Sequence, residues 1–151
     1  MFAQRLASEV KKARNDSDQN FFIFPEGDNL QSWKAFLLGP ADSPFEEGAF
    51  QLRVYISQVG RRLNAQDFPI NPPKVFFVTK IYHPNIHWET GEVCLDILKT
   101  EWRATWTLHK LGKALSSLLF CPNADSPLNC DAGSLLSNPR KYDQSRRHTG
   151  L

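Results

Sequence analysis

Apolar positions recur at helical spacing at the start of the chain. Phe2, Leu6, Val10 and Ala13 share one face, with Arg5, Glu9 and Lys12 mostly off it, so residues 2 to 13 are expected to form an amphipathic helix. The period then shortens. "FFIF" (21–24), "WKAFLL" (33–38) and "AFQLRVYIS" (49–57) read as strands, the last with Phe50, Leu52, Val54 and Ile56 at period two. The turn-rich "EGDN" and "GPADSPFEEG" separate them, which predicts an antiparallel meander. Pro69, Pro72 and Pro73 impose extended geometry ahead of a fourth strand, Val75 to Val78.

From residue 79 to about 104 no period is sustained. A stretch of that length inside a compact domain is usually functional or disordered, and Tyr82, Pro84, Trp88 and Trp102 argue for an ordered loop packed on the sheet. Helical spacing returns at Leu108, Leu111, Leu115, Leu118 and Leu119, with Thr107 or Thr105 as the cap. "CPNADSPLN" breaks that helix; Asp131 is expected to cap a short one through Leu136, and Asn138-Pro139 to open a last one. The order predicts an α+β domain over 1–151: an N-terminal helix, a four-stranded antiparallel meander sheet, an ordered loop and C-terminal helices.

Composition changes this picture little. A chain of 151 residues, 41% hydrophobic and 23% charged, buries a core without disulfide or metal. No apolar run approaches the roughly 20 residues of a membrane span, and no secretory leader is evident, so a soluble intracellular protein is expected. The net charge of +2 is spread over Arg5, Lys11, Lys12, Arg14, Arg61, Arg62, Arg146 and Arg147, too diffuse for a nucleic-acid footprint. Cys94, Cys121 and Cys130 form neither a CxxC pair nor an even set, which argues against a disulfide framework and a structural zinc site.

The chemistry concentrates in "HPNIHWETGEVCL" (83–95). Gly91 permits a tight turn just before Cys94, which would hold the thiol on a loop surface. From the residues alone Cys94 is either a nucleophile or a small buried hydrophobe. A Cys-His hydrolase would need His83, His87 or His109 within reach of the sulfur, and Pro84 suggests instead that His83 braces a turn. There is no GxGxxG after a strand and no GxxxxGK[ST], so no nucleotide site is indicated, and an enzyme of this kind would have to receive an activated substrate.

"HPNI" followed by "GEVCLDIL" resembles the ubiquitin-conjugating enzymes, and the similarity extends through "GPADSPFEEGAF", "PPKVFF", "TEWRATWTL" and the helix after it. "HWETGEVCLDILKTEW" and "DSPLNCDAGSLL" are most similar to the peroxisomal branch, which ubiquitinates the import receptor. The resemblance implies that Cys94 accepts ubiquitin as a thioester, that Asn85 steadies the loop or stabilises an oxyanion, and that Asp96 orients or deprotonates an incoming lysine. It gives His83 and Pro84 the structural part of the motif. No cofactor is implied, ATP being consumed by the upstream activating enzyme. An inactive ubiquitin-binding relative and a carrier of another ubiquitin-like modifier are the alternatives.

The departures from the family pattern are local. Ser126 stands where many relatives carry a second acid, which leaves a cysteine or serine acceptor open beside lysine. Lys113 replaces an apolar contact to donor ubiquitin, and "WRATW" replaces the usual Ser-Pro-Ala of the ligase-binding loop. Ile70, Arg103, Ala104 and Arg5 on the first helix are the expected RING-ligase contacts. The 57–67 stretch is longer than in short members. The implied partners are ubiquitin, its activating enzyme, a RING ligase and a membrane-anchored peroxisomal recruiter. That places the protein in the cytoplasm, peripheral on the cytosolic face of the peroxisome, with no direct membrane insertion and no nucleic acid.

Overall fold

The computed structural model describes residues 2–56, 68–94, 98–100 and 102–123. Helix α1 (Phe2–Arg14) leads into strands β1 (Phe21–Glu26), β2 (Asn29–Leu38), β3 (Ala49–Tyr55) and β4 (Lys74–Phe77), and helix α2 (Leu108–Phe120) follows. The strands form one antiparallel sheet in the order β1-β2-β3-β4, as the alternating pattern predicts. The expected helices after residue 123, the 57–67 stretch, and Asp96, Ser126 and Cys130 lie outside the described residues.

One sheet face carries the core. Phe21 and Ile23, Trp33, Ala35 and Leu37, Phe50, Leu52 and Val54, and Val75 and Phe77 all point into it. Leu108, Leu111, Leu115, Leu118 and Leu119 of α2 pack into the same cluster, together with Leu6 of α1. Each such side chain contributes about 1.5–3 kcal/mol by leaving water. Thr107 is the cap of α2, its hydroxyl accepting from the Lys110 amide at 3.3 Å.

β1 runs two residues beyond the expected "FFIF", through Pro25, and β2 starts four residues earlier than expected, at Asn29. The Leu38 amide donates to the Asn20 carbonyl at 2.9 Å, so in the antiparallel register Asn20, Phe22 and Phe24 bond to β2 while Phe21, Ile23 and Pro25 turn their main chain outward. The missing Pro25 N–H therefore costs the ladder nothing, and Gly27, at φ +63°, closes the turn. β4 spans Lys74–Phe77, one residue earlier than expected.

A second departure concerns Glu9. The helical period sets it off the apolar face, yet it is 1% exposed. Its carboxylate accepts from Arg5 Nε at 2.8 Å on one oxygen and from the Leu108 amide at 2.8 Å on the other. It thus satisfies one of the unbonded amides at the start of α2, where a negative charge also meets the positive end of the helix dipole. Arg5 continues the junction, donating to the carbonyls of Ala104 and Trp106 and lying 5.2 Å over the Phe68 ring.

Two outcomes follow. Glu9→Ala should lower stability by about 2–3 kcal/mol in urea denaturation, because it orphans both a buried amide and the Arg5 charge, and Glu9→Gln by less. At the β1–β2 turn, the Ser32 hydroxyl and then Lys34 hold the Glu26 carboxyl below the ordinary value of 4.5. A carboxyl lowered on folding stabilises above its unfolded value, and that stabilisation disappears as pH falls through the folded one. Glu26→Gln should therefore shrink the acid-side loss of thermal stability below about pH 4.5 and leave its slope near pH 7 unchanged.

Candidate active site

Residues 83–94 fold back along the outer side of β4. The Phe77 amide donates to the Gly91 carbonyl at 2.8 Å and the Val93 amide to the Val75 carbonyl at 2.9 Å, while Ile86 bridges Val93. The segment 91–93 therefore covers the edge of the sheet that β3 leaves open. Gly91 makes the fit possible: its φ is +73°, and a Cβ there would stand 1.9 Å from the Phe77 carbonyl oxygen. Any side chain would lift the strand off β4.

His83 and Asn85 pin this segment from below, both fully buried. The Asn85 amide donates to His83 Nδ1 at 3.0 Å, so that nitrogen carries no proton, and Nε2 donates to the Leu118 carbonyl at 2.9 Å. The bonding pattern assigns a neutral ring protonated on Nε2. Leu118 is among the last four residues of α2, whose carbonyls have no amide within the helix, and His83 caps it. Asn85 makes a two-point clamp on the chain after α2: Nδ2 donates to the Asn123 carbonyl at 2.6 Å and Oδ1 accepts the Asn123 amide at 2.8 Å.

Cys94 completes the turn, its amide donating to the Asn85 carbonyl at 3.0 Å and its carbonyl accepting from Leu98, in the helical turn at 98–100, at 3.2 Å. The thiol is less open than a loop-surface position suggests: Cys94 is 9% exposed, because the bonds on both sides draw its backbone into the fold, yet it stays outside the core cluster that holds Val93. Among the described residues no histidine hydrogen-bonds the thiol. His83 spends both nitrogens on main chain, His87 Nδ1 accepts from the Glu89 and Thr90 amides, and His109 pairs with Asp16 and Asp18. No His/Cys/Asp/Glu group among the described residues forms a metal-holding cluster.

The expected ligase contacts gather on one side. Trp102 Nε1 donates to the Pro69 carbonyl at 2.8 Å, which joins the loop carrying Ile70 to the loop carrying Arg103 and Ala104. Ile70 is 59% exposed, and Arg103 and Ala104 are exposed beside Trp102. Arg5 reaches the same loop through Ala104, but its guanidinium is committed to Glu9 and to main-chain carbonyls. Lys113 lies on the exposed side of α2. Sequence reasoning missed Asn123 and Leu118, which complete the network through their main chain and so leave no residue-type signal.

A model of the ubiquitin-conjugating enzymes matches residues 5–149. The chain is 43% identical over 137 residues to the ubiquitin-conjugating enzyme E2 pex4 of Dictyostelium discoideum, covering 90% of this chain and 87% of that one. It is 40% identical over 134 residues to PEROXIN-4 of Arabidopsis thaliana, covering 87% and 80%. Among solved structures it resembles a putative ubiquitin conjugating enzyme from Plasmodium yoelii, with a TM-score of 0.80 and 33% identity over 96% of this chain and 90% of that one. Enzymes of this family work with ubiquitin, an activating enzyme and a ligase. The helix and the antiparallel sheet agree with those matches, and the chain belongs to the ubiquitin-conjugating enzymes, a family of transferases.

Proposed function

We propose that this enzyme carries ubiquitin as a thioester on Cys94 and transfers it to the peroxisomal import receptor, supporting receptor recycling and matrix protein import. The observation that carries the reading is the main-chain pinning of Cys94 through Asn85 and His83, together with 40–43% identity to two peroxins. The Cys94 thiolate attacks the thioester carbonyl on the activating enzyme, whose own thiolate leaves. An acceptor amine or thiol then attacks the new thioester, the C–S bond to Cys94 breaks, and the acceptor proton is lost to base. The acyl group arrives already activated, so the chemistry needs neither a histidine base on Cys94 nor a cofactor of the enzyme's own.

The remaining roles follow from the surroundings. Asn85 turns both ends of its side-chain amide to Asn123, which favours loop-steadying over oxyanion donation. Asp96 orients a lysine acceptor; with Ser126 at the position of the usual second acid, a cysteine acceptor is equally served, its free pKa of ~8.5 lying below the ~10.4 of lysine. The RING ligase docks on Ile70, Arg103 and Ala104, with Arg5 holding the Ala104 loop in place from α1. Lys113 meets the donor ubiquitin. No helix among the described residues is long and apolar enough to cross a membrane, so a membrane-anchored partner recruits the enzyme to the cytosolic face of the peroxisome.

Charging with activating enzyme, ATP and ubiquitin should give a thiol-labile adduct on the wild type and on Cys121→Ala, and a thiol-stable oxyester on Cys94→Ser. An adduct that persists on Cys94→Ala would move the site elsewhere, and no adduct at all would point to an inactive binding relative or another modifier. Asn85→Ala should lower stability by about 2 kcal/mol and slow discharge of the preformed thioester in proportion. A ~100-fold slower discharge at unchanged melting temperature would instead make Asn85 an oxyanion donor.

A further inference from the structure

Antiparallel neighbours can be joined by a tight turn, yet the ten residues 39–48 separate the paired Leu38 and Ala49 of β2 and β3. The ladder runs one pair further, the Gly39 amide donating to the Gly48 carbonyl at 2.8 Å, and the chain between them folds onto Phe45. The Ser43 hydroxyl donates to the Pro40 carbonyl at 2.6 Å and accepts from the Phe45 amide at 3.2 Å, while the Phe45 carbonyl accepts from the Gly48 amide at 2.9 Å. A Cβ on Gly39 would stand 1.6 Å from that carbonyl oxygen, so the turn closes directly on Phe45. It also holds Asp42 and Glu47 at φ +59° and +68°, in the left-handed region that side chains disfavour. Strain of this kind persists only where surrounding contacts fix it.

The turn carries the Phe45 ring into the core, where it is buried. Its centroid lies 5.8 Å from that of His83 at an interplanar angle of 38°, and 6.0 Å from that of Phe50 in an edge contact at 77°. Phe50 makes the same kind of contact with Phe77 at 5.9 Å, and the Phe77 amide bonds Gly91. Four rings in contact thus run from the first residue of the cysteine segment to the strand that its other end covers. Hydrogen bonds at Nδ1 and Nε2 act in the plane of an imidazole, so the two that His83 makes leave its tilt about the Nδ1–Nε2 line to packing.

That tilt matters because Nδ1 holds the Asn85 amide, and the Asn85 carbonyl in turn takes the Cys94 amide. We propose that Phe45 is a positioning residue for acyl transfer: pressed against the imidazole by the closed 39–48 turn, it fixes the tilt of the ring and, through His83 and Asn85, the place of Cys94. This rests on the reading of Cys94 as the thioester carrier. Phe45 acts only through other residues, so it governs how fast the acyl group moves and not which bond forms. The "GPADSPFEEG" stretch is then a support of the cysteine site as well as the connection between two strands.

The test is amide exchange by nuclear magnetic resonance on the full chain without ubiquitin, beside discharge of the preformed thioester to free lysine. Phe45→Ala should speed exchange of the Asn85 and Cys94 amides at least ~10-fold more than that of Leu52 in β3, and slow discharge ~10-fold. Phe45→Leu, which restores much of the bulk, should recover part of both. Ile23→Ala, a core deletion in β1, should speed all three amides alike and leave discharge unchanged. If Phe45→Ala does not fold, the same exchange ratio in Phe45→Leu decides, at ~3-fold or more. The proposal is overturned if Asn85 and Cys94 loosen no more than Leu52, if Ile23→Ala frees them selectively, or if discharge keeps its wild-type rate while they loosen. A wild type that takes no ubiquitin would sink the thioester reading and the rate effect with it, whereas the exchange ratio by itself separates a loop held by Phe45 from one that is not.

Discussion

A neutral imidazole, that of His83, fastens the cysteine loop to the end of α2, and the geometry around Cys94 depends on it. The ring can serve two masters only because it is uncharged: Nδ1 must accept the Asn85 amide while Nε2 donates to Leu118. A protonated ring would have no acceptor left, and the loop would lose its lower anchor. Phe45 and the surrounding core keep water from this ring, which is fully buried. A histidine beside a cysteine is easily read as a base; here both ring nitrogens hold main chain.

Asn85 extends the same logic. Its main chain bonds both His83 and Cys94, and its side chain clamps Asn123, so the cysteine, the end of α2 and the chain beyond are tied together through His83 and Asn85. The Arg5–Glu9 pair forms a second junction at the opposite end of α2, joining α1, the Trp102 loop and the Pro69 loop. The helix is thus held at both termini by polar side chains from elsewhere in the chain, while its apolar stripe faces the sheet.

Much of this fold was legible, and for a physical reason. Period two along Phe50–Ile56 and the leucine spacing of α2 are direct records of one-sided burial, and Thr107 has the side chain that a helix start uses. What was not legible depends on partners rather than on pattern. Glu9 falls off the apolar face and is buried only because the Leu108 amide needs an acceptor. Pro25 argues against a strand until the direction of its missing N–H is known. The cysteine motif was readable through its resemblance to a family, but its shielding was not, since Leu98 and Asn85 close on Cys94 through main-chain bonds that any residue type can make.

The cover that residues 91–93 place over β4 gives the cysteine loop a second structural duty. The same backbone that presents Cys94 also terminates the sheet, bonding the amides and carbonyls that would otherwise be open to another chain. Without residues 91–93 in place, the edge beside Tyr55, Phe76 and Val78 would be uncovered. Order in the cysteine loop and protection of the sheet edge are therefore a single property of this chain, kept by the same two main-chain bonds.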